Sequence, residues 1–450
     1  MRRSAEVLVI GAGIAGVAAA YELAVEQGVG RVVLVDSRPP LTLTSDKSTE
    51  CYRNWWPSKP MVQLMNRSID LLEHMATVSG NAFGLNRRGY LFVTGEKERF
   101  QRMFEDAHHI STLGAGPVRL HPGPIPYRNS PSEGFHGSPE GADILVGPDT
   151  VRSHFPFITE RAVGAIHVRR AGWFSAQQLG AWMLSRAREA GLELVADEVV
   201  GIDVAGESVK AGILASGGRI EAPAIVNAGG PLAGKIGAMV GVELPLFSEL
   251  HHKVAFREHQ RIVPRDAPMF IWSDPQTIPW SEEERRELAG LGRMDLLDEM
   301  PIYCHGRPEG GADSPYLLAL WEYHGKVEEP VWPVPEDELF PEVVMRGLVT
   351  MVPGLSVYLD RLPASSVDGG YYTKTRENRP LIGPIGPTGF HVAVGYSGFG
   401  VMVAAGAGDL VARHVIGAPL PEHAAAFLPS RYDEPGYLGS VASGSSSGQL

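Results

Sequence analysis

Hydrophobic and polar positions alternate along this chain in a readable order. Residues 6–10, Glu6-Val7-Leu8-Val9-Ile10, form an unbroken apolar run behind one acid, the pattern of a strand buried on both faces. Glycines stand at 11, 13 and 16, after which Ala18, Ala19, Ala20, Leu23 and Ala24 recur at helical spacing. A second run, 31–35, ends at Asp36. Farther on, the spacing predicts a helix over 99–110 and another over 176–188, with Leu179, Trp182 and Met183 on one face. A strand is predicted at 192–195, with short β-runs at 198–204, 208–214 and 219–221. A strand at 224–226 runs into Asn227-Ala228-Gly229-Gly230-Pro231 and a helical stretch at 232–240. A late strand, 391–394, meets Gly395-Tyr396-Ser397-Gly398-Phe399-Gly400 and a helix reaching His414.

Other stretches break the rhythm. Residues 121–148 are rich in Gly, Pro and Ser, and a loop of that length is either disordered or a lid. Ser281 followed by three glutamates reads as an N-cap with acids at the positive end of a helix, so 281–299 is expected to hold a solvated insert helix. The Ser/Gly-rich tail, 440–450, is expected to be flexible. No repeat of 20–50 residues is present.

Composition narrows the class. At 450 residues the chain exceeds one core and implies two or three domains of roughly 100–200 residues. Forty basic against 52 acidic residues give a net charge of −12, which argues against a nucleic-acid-coating protein. With 44% hydrophobic and 20% charged residues the chain is not globally disordered. Two cysteines, Cys51 and Cys304, give neither a disulfide framework nor a zinc pattern, and a cytoplasmic setting is the expectation. The apolar stretch 7–25 has the length of a signal or membrane helix, but Tyr21, Glu22 and its glycines fit a soluble nucleotide-binding unit better. No transmembrane segment is expected. The pairs His108-His109 and His251-His252 diverge on any regular element, so no metal is expected.

The strand–GxGxxG–helix–strand–acid unit is the most specific signal. Gly11 allows the tight turn, Gly13 lets backbone approach a pyrophosphate, and Gly16 lets helix and sheet pack closely. The free amides and dipole at the helix start hold phosphates. Asp36 is placed to accept from a ribose hydroxyl and to repel a 2′-phosphate, which disfavours NADP. Two further strand-to-helix junctions rich in glycine, at 227–231 and 395–400, suit a ligand as long as FAD better than NAD alone.

On these residues, with Ser48-Thr49 and Arg53, and with Tyr372-Thr373-Lys374-Thr375, the chain resembles the D-amino-acid oxidase-like superfamily of FAD-dependent oxidoreductases, near monomeric sarcosine oxidase and glycine oxidase. The resemblance is strong at both ends and poor over 240–360. It implies an α/β plus β fold, a Rossmann-like FAD-binding domain interleaved with an antiparallel-sheet substrate domain. The boundaries it implies are 1–80, 150–240 and 355–433 for FAD, 81–149 and 241–354 for substrate, and a tail at 434–450. The FAD contacts it implies are Gly11, Ala12, Gly13, Ile14, Ala15, Gly16, Asp36, Ser37, Arg38, Lys47, Ser48, Thr49, Val199, Ala228, Gly229, Gly230, Gly398, Phe399, Gly400, Val401 and Met402. Arg53, Tyr372 and Met402 are the candidates facing substrate, Arg53 because a guanidinium matches a carboxylate bidentately.

Departures from the pattern carry expectations of their own. Gly370 stands where sarcosine oxidase has its flavin-linking cysteine, so FAD is expected to be non-covalent, with Cys51 the alternative anchor. Met402 and Phe399 replace a lysine and a histidine, which makes the pocket greasier. The lysine that promotes oxygen reaction is not matched, although Lys253 and Arg261 lie near it in sequence. Trp55-Trp56 reads as core or as an aromatic cage for an amine. One of Tyr371 and Tyr372 should face the cavity. The resemblance implies oxidation of a C–N bond of a small-molecule amine or amino acid, by hydride transfer to flavin and hydrolysis of the resulting imine, with O2 or an electron-transfer acceptor as partner. A 2-hydroxy-acid oxidase or dehydrogenase of the same fold, which would want a histidine beside the flavin, and a flavin-binding subunit of a larger complex stay open.

Overall fold

The computed structural model describes residues 2–123 and 127–437; the tail at 440–450 lies outside them. A six-stranded sheet runs in the order Glu193–Ala196, Val32–Asp36, Val7–Ile10, Ala224–Asn227, Phe390–Val394, Leu381–Pro384. The first five strands are parallel and the last is antiparallel. Both faces are covered, which is why the strands are apolar without alternation. Val7, Val9, Val32 and Leu34 pack on the helices Ile14–Tyr21, Ala176–Glu189 and Gly400–Ile416. Leu8, Ile10, Val33 and Val35 pack on a small sheet formed by Arg2–Ser4, Arg219–Glu221, Ser208–Leu214 and Val199–Ala205.

Small residues bring the helices close. A Cβ on Gly408 would lie 2.9 Å from the Ala18 backbone, and one on Gly406 would lie 2.9 Å from the Leu64 carbonyl. Ser68, on helix Lys59–Val78, donates to the Met402 carbonyl (2.6 Å) and accepts from Gly406 N–H (3.1 Å). Ser397–Ile416 is the only helix among the described residues long and apolar enough to cross a membrane, and it is largely buried inside the fold.

The second layer is a nine-stranded sheet in the order Ser365–Lys374, Phe247–Arg257, Tyr316–Leu320, Cys304–Glu309, Met269–Trp272, Tyr90–Thr94, Gly164–Val168, Ala142–Val146, Val118–His121. It is antiparallel except at two joints, Met269–Trp272 with Tyr90–Thr94 and Val118–His121 with Ala142–Val146. Gly164–Val168 and Ser365–Lys374, which the expected boundaries give to the FAD domain, pair into this sheet. Its strands alternate by the period of two. Leu91, Val93, Phe270, Trp272, Val254 and Ala319 bury outward with helix Phe340–Met351. Tyr90, Phe92, Met269 and Ile271 bury inward against the first layer.

Two expectations about irregular stretches meet different ends. Strand Ala142–Val146 takes up the end of the stretch read as a loop, because Ile144 and Leu145 bury completely; residues 124–126 of that stretch lie outside the described residues. The insert forms helix Glu282–Gly290 with a full capping box. Ser281 Oγ accepts from Glu284 N–H (3.2 Å) and Glu284 Oε2 from Ser281 N–H (2.6 Å).

Candidate active site

The three glycine-bearing junctions surround one cavity of about 610 Å³. Their glycines do different work. Gly11 has φ +102°, and a Cβ there would lie 2.6 Å from the Ala228 carbonyl oxygen, so the turn and the neighbouring junction both require glycine. A Cβ on Gly16 would lie 1.8 Å from Gly11 O. Gly13 is different: its φ of −70° suits any residue, and an added Cβ meets only Ser45 Oγ at 3.3 Å. Its bareness serves the cavity. Ile14 N–H donates to Ser45 Oγ (2.9 Å), so a loop caps the helix start. The Asp36 carboxylate accepts from Ala12 N–H (2.7 Å) and Arg38 N–H (2.9 Å), which locks the glycine turn to the end of the second strand.

Of the expected contacts, Gly11, Ala12, Gly13, Ile14, Ala15, Asp36, Ser37, Arg38, Ser48, Val199, Ala228, Gly229, Gly230, Gly398, Gly400 and Val401 line this cavity, as does Tyr372. Gly16, Lys47, Thr49, Phe399, Met402 and Arg53 stand off it. Gly16 is wedged under Gly11. Lys47 pairs with Asp46 (2.7 Å) and Asp368 (3.2 Å). Phe399 packs edge-on to Trp56, ring centroids 5.0 Å apart, so Trp56 is core. Met402 is buried, and its backbone carbonyl accepts from Ser68 of helix Lys59–Val78, while its neighbour Val401 borders the cavity.

The sequence reading missed the cavity's outer strap. Residues 330–332 border it, held by Val331 N–H donating to the Tyr371 hydroxyl (3.1 Å) and by Arg38 stacked over Trp332 at 5.4 Å. Thr44 Oγ1 donates to the Tyr371 carbonyl (3.0 Å). Gly370 lies against the loop at 44–47, where a Cβ would meet Lys47 Cβ at 3.0 Å.

The inward face of the nine-stranded sheet holds the ionisable groups. The register sets Glu249 opposite Tyr372, His251 opposite Gly370 and Lys253 opposite Asp368, and His305 and Arg307 opposite Leu320 and Leu318. Trp321 buries outward, and Glu322 follows it just past strand Tyr316–Leu320. His251 stacks on Tyr372 (4.2 Å, 20°) and bonds to Glu249 Oε2 (3.2 Å), which Lys374 Nζ also reaches (2.8 Å). Burial works to raise the Glu249 carboxyl, yet the bonds from His251 and Lys374 take it down to about 2. Lys253 Nζ donates to the carbonyls of Asp46 (3.1 Å) and Ser48 (2.9 Å), and burial pushes its ammonium down. Arg261 is exposed at a turn beyond that strand. His252 faces outward, bonded to the Pro335 carbonyl (2.8 Å).

Arg53 is buried on strand Cys51–Arg53, off the cavity lining. Its Nε donates to the Trp55 carbonyl (3.1 Å) and its guanidinium lies 4.3 Å over Trp56 and 5.9 Å from Tyr90. Burial lowers its pKa, opposed by Tyr90, Tyr303 and Glu322. Cys51 is a buried free thiol whose hydrogen bond goes to the Thr49 carbonyl (3.2 Å), and burial raises its pKa. His251 and Arg307 were missed as members of this face because their placement depends on strand pairing. A trace of it stands in the sequence, where Glu249, His251 and Lys253 recur at every second position along the strand.

Comparison with known proteins agrees with this architecture. Residues 6–414 match the model of the family described as FAD dependent oxidoreductase (DAO). Rat (Rattus norvegicus) mitochondrial dimethylglycine dehydrogenase is 23% identical over 443 residues, 95% of this chain and 45% of its own. The chain thus spans about half the length of the curated relatives it matches. Among solved structures, L-proline dehydrogenase from P. horikoshii superposes with a TM-score of 0.74 at 20% identity, covering 96% of this chain and 99% of that one. Glycine oxidase from Geobacillus kaustophilus does so with 0.72 at 18%, covering 95% and 99%.

Proposed function

Since the chain belongs to the FAD dependent oxidoreductase (DAO) family and uses FAD, we propose that it oxidises the C–N bond of an amino acid, with secondary and N-methyl amines in range. The FAD fits the residues present: Gly13 leaves bare backbone facing a long cavity, and three sets of junction amides line it. The glycine-turn amides and the helix dipole at 11–15 would hold the pyrophosphate, and those at 398–401 would face the flavin end.

When bound, FAD supplies a two-electron acceptor that takes a hydride from the carbon next to nitrogen. The protein's own residues bind and aim the substrate. Arg53, buried on strand Cys51–Arg53 behind the cavity lining, is the anchor for a carboxylate in this reading. The stacked Tyr372–His251 pair walls the space, and the inward apolar residues Phe92, Met269 and Ile271 keep water low until the imine forms and is hydrolysed. The observation that carries this reading is the enclosed Arg53, facing a row of ionisable groups on the opposite sheet.

A second reading, oxidation of a 2-hydroxy acid, is favoured by one fact: His251 stands on the inward face. One experiment separates them. The holoprotein is mixed anaerobically with a panel of amino acids, amines and 2-hydroxy acids, and flavin bleaching is followed. Amino acids should bleach it and hydroxy acids should not; the reverse overturns the proposal. Admitting air afterwards reads whether O2 is the acceptor.

A further inference from the structure

The wall of the FAD cavity is not held evenly. Much of it belongs to the ends of the six-stranded sheet, to the roofing strand Ser365–Lys374 and to helix starts. The loop at 37–48 is tied down along its length. Leu41 N–H donates to the Ala12 carbonyl (2.9 Å), Gln177 Nε2 to the Leu41 carbonyl (3.1 Å) and Thr44 Oγ1 to the Tyr371 carbonyl (3.0 Å), while Lys253 holds the carbonyls of Asp46 and Ser48. The strap is different. Residues 330–332 border the cavity while Glu329, Val331 and Pro333 are exposed, so this stretch has the cavity on one side and solvent on the other. Its ends are fixed: Glu328 N–H donates to the Ser248 carbonyl (2.9 Å), and the Pro335 carbonyl accepts from His252 Nε2 (2.8 Å).

Between those ends, the hydrogen bond described for 329–334 is the one from Val331 N–H to the Tyr371 hydroxyl (3.1 Å). Pro330 and Pro333 have no N–H to give, and none of 329–334 joins an apolar core. Trp332 supplies the remaining hold. Its ring lies under the Arg38 guanidinium at 5.4 Å and edge-on to Tyr371, centroids 5.7 Å apart. Arg38 N–H donates in turn to Asp36 (2.9 Å), so this contact stands at the end of the cavity where Asp36 ends its strand. We propose that residues 329–334 are the door of the FAD site: the span swings out on its two fixed ends to pass the dinucleotide, and Trp332 against Arg38 and Tyr371 is its latch. A stretch with few backbone bonds and no core contacts opens locally at the lowest cost, and a ligand enclosed by better-held walls leaves through it. The door concerns the cofactor alone and holds whichever substrate the flavin oxidises.

The test follows cofactor exchange in the FAD-loaded protein. Mixing with excess 8-chloro-FAD gives the exit rate from the change in flavin absorbance. The FAD retained on dilution gives Kd, and the exit rate divided by Kd gives the entry rate. Weakening a latch opens the span equally with and without cofactor. In Trp332→Ala, exit and entry should therefore quicken by the same factor, roughly two- to thirty-fold, the worth of a cation–π contact, with Kd unchanged. Trp332→Phe keeps a ring under Arg38 and should stay close to wild type. Tyr371→Phe removes only the oxygen that accepts from Val331 N–H and should act in the same direction as Trp332→Ala, which keeps the test decisive if that variant fails to fold. Faster exit with entry unchanged would make Trp332 a cofactor contact in a fixed wall. Unchanged rates, or no exchange in any of the proteins, would mean that FAD does not pass here. Each of these results overturns the proposal.

Discussion

Arg307, on the inward face of the nine-stranded sheet, donates two hydrogen bonds to one oxygen, the carbonyl of Thr49 (Nε 3.1 Å, Nη2 2.8 Å). The same guanidinium pairs with Glu309 (2.5 Å) and approaches Glu50 (3.8 Å) and the face of Trp173. It ties the roofing sheet to the loop that borders the cofactor cavity. Arg307→Met leaves the Thr49 carbonyl without its buried partner, at a cost of about 1–3 kcal/mol. A lower melting temperature and a reduced flavin-to-protein ratio after gel filtration are expected. An unchanged ratio would mean that the loop holds its place without the tie.

The glycines of the first turn should separate fold from cofactor. Gly13→Val adds a side chain where the backbone is already extended and only Ser45 Oγ is near, so the protein should fold and fail to hold FAD. Gly16→Val drives a Cβ into Gly11 O and should yield little folded protein. Circular dichroism and flavin absorbance on the two variants read both outcomes. A Gly13→Val protein loaded to the wild-type ratio would contradict the role given to that position.

Arg53→Met keeps an apolar stem against Trp56 and removes the charge. With an amino-acid substrate, kcat/KM should fall roughly ten- to a hundred-and-fifty-fold, the worth of a charge-assisted hydrogen bond. The loss should shrink sharply when the decarboxylated amine is offered, and FAD content should stay normal. Loss of flavin or of fold would make Arg53 a layer-joining residue only.

Glu22 gives a pH prediction. It is 1% exposed, and its Oε1 has no hydrogen-bond partner. Burial, with Asp409 and Glu26 nearby, pushes its carboxyl from the ordinary value of 4.5 up to about 8, against the pull of Arg67 and Arg413. The folded state binds the proton more tightly than the unfolded state. The contribution of Glu22 is thus fully present below about pH 4.5 and is lost as pH rises through 8. Glu22→Gln removes that dependence and should be the more stable protein at pH 9, by on the order of 3–5 kcal/mol. Urea melts of both proteins at pH 6 and pH 9 measure it, and parallel pH profiles would contradict it.

The flavin should be released by acid. Gly370 offers no sulfur, and Cys51 is a buried thiol turned to the Thr49 carbonyl. Trichloroacetic acid should leave the yellow colour in the supernatant. Colour in the washed pellet, lost in Cys51→Ser, would place the link at Cys51.

What was legible in the sequence was local. The Gly11, Gly13, Gly16 and Asp36 unit carries its whole logic within about thirty residues, and the junctions at 227–231 and 395–400 are likewise read from neighbours in the chain. The roof was not legible in that way. Glu249 meets Lys374, and Arg307 meets Thr49, only after strands far apart in sequence have paired. That Val401 and not Met402 borders the cavity was not legible either, because a motif position says nothing of helix phase.

Ile10 and Val401 border the same space, with 228–230, 330–332 and Tyr372 between them in the chain. During synthesis, the glycine turn leaves the ribosome early and waits for its opposite wall until almost the last helix is made. Enclosure of the cofactor is therefore a late event, and a chain stopped before the C-terminal helix would be colourless however well its first half had folded. Yellow colour in the purified protein thus reports a chain made through the helix Gly400–Ile416 and assembled, and it needs no antibody or activity assay to do so.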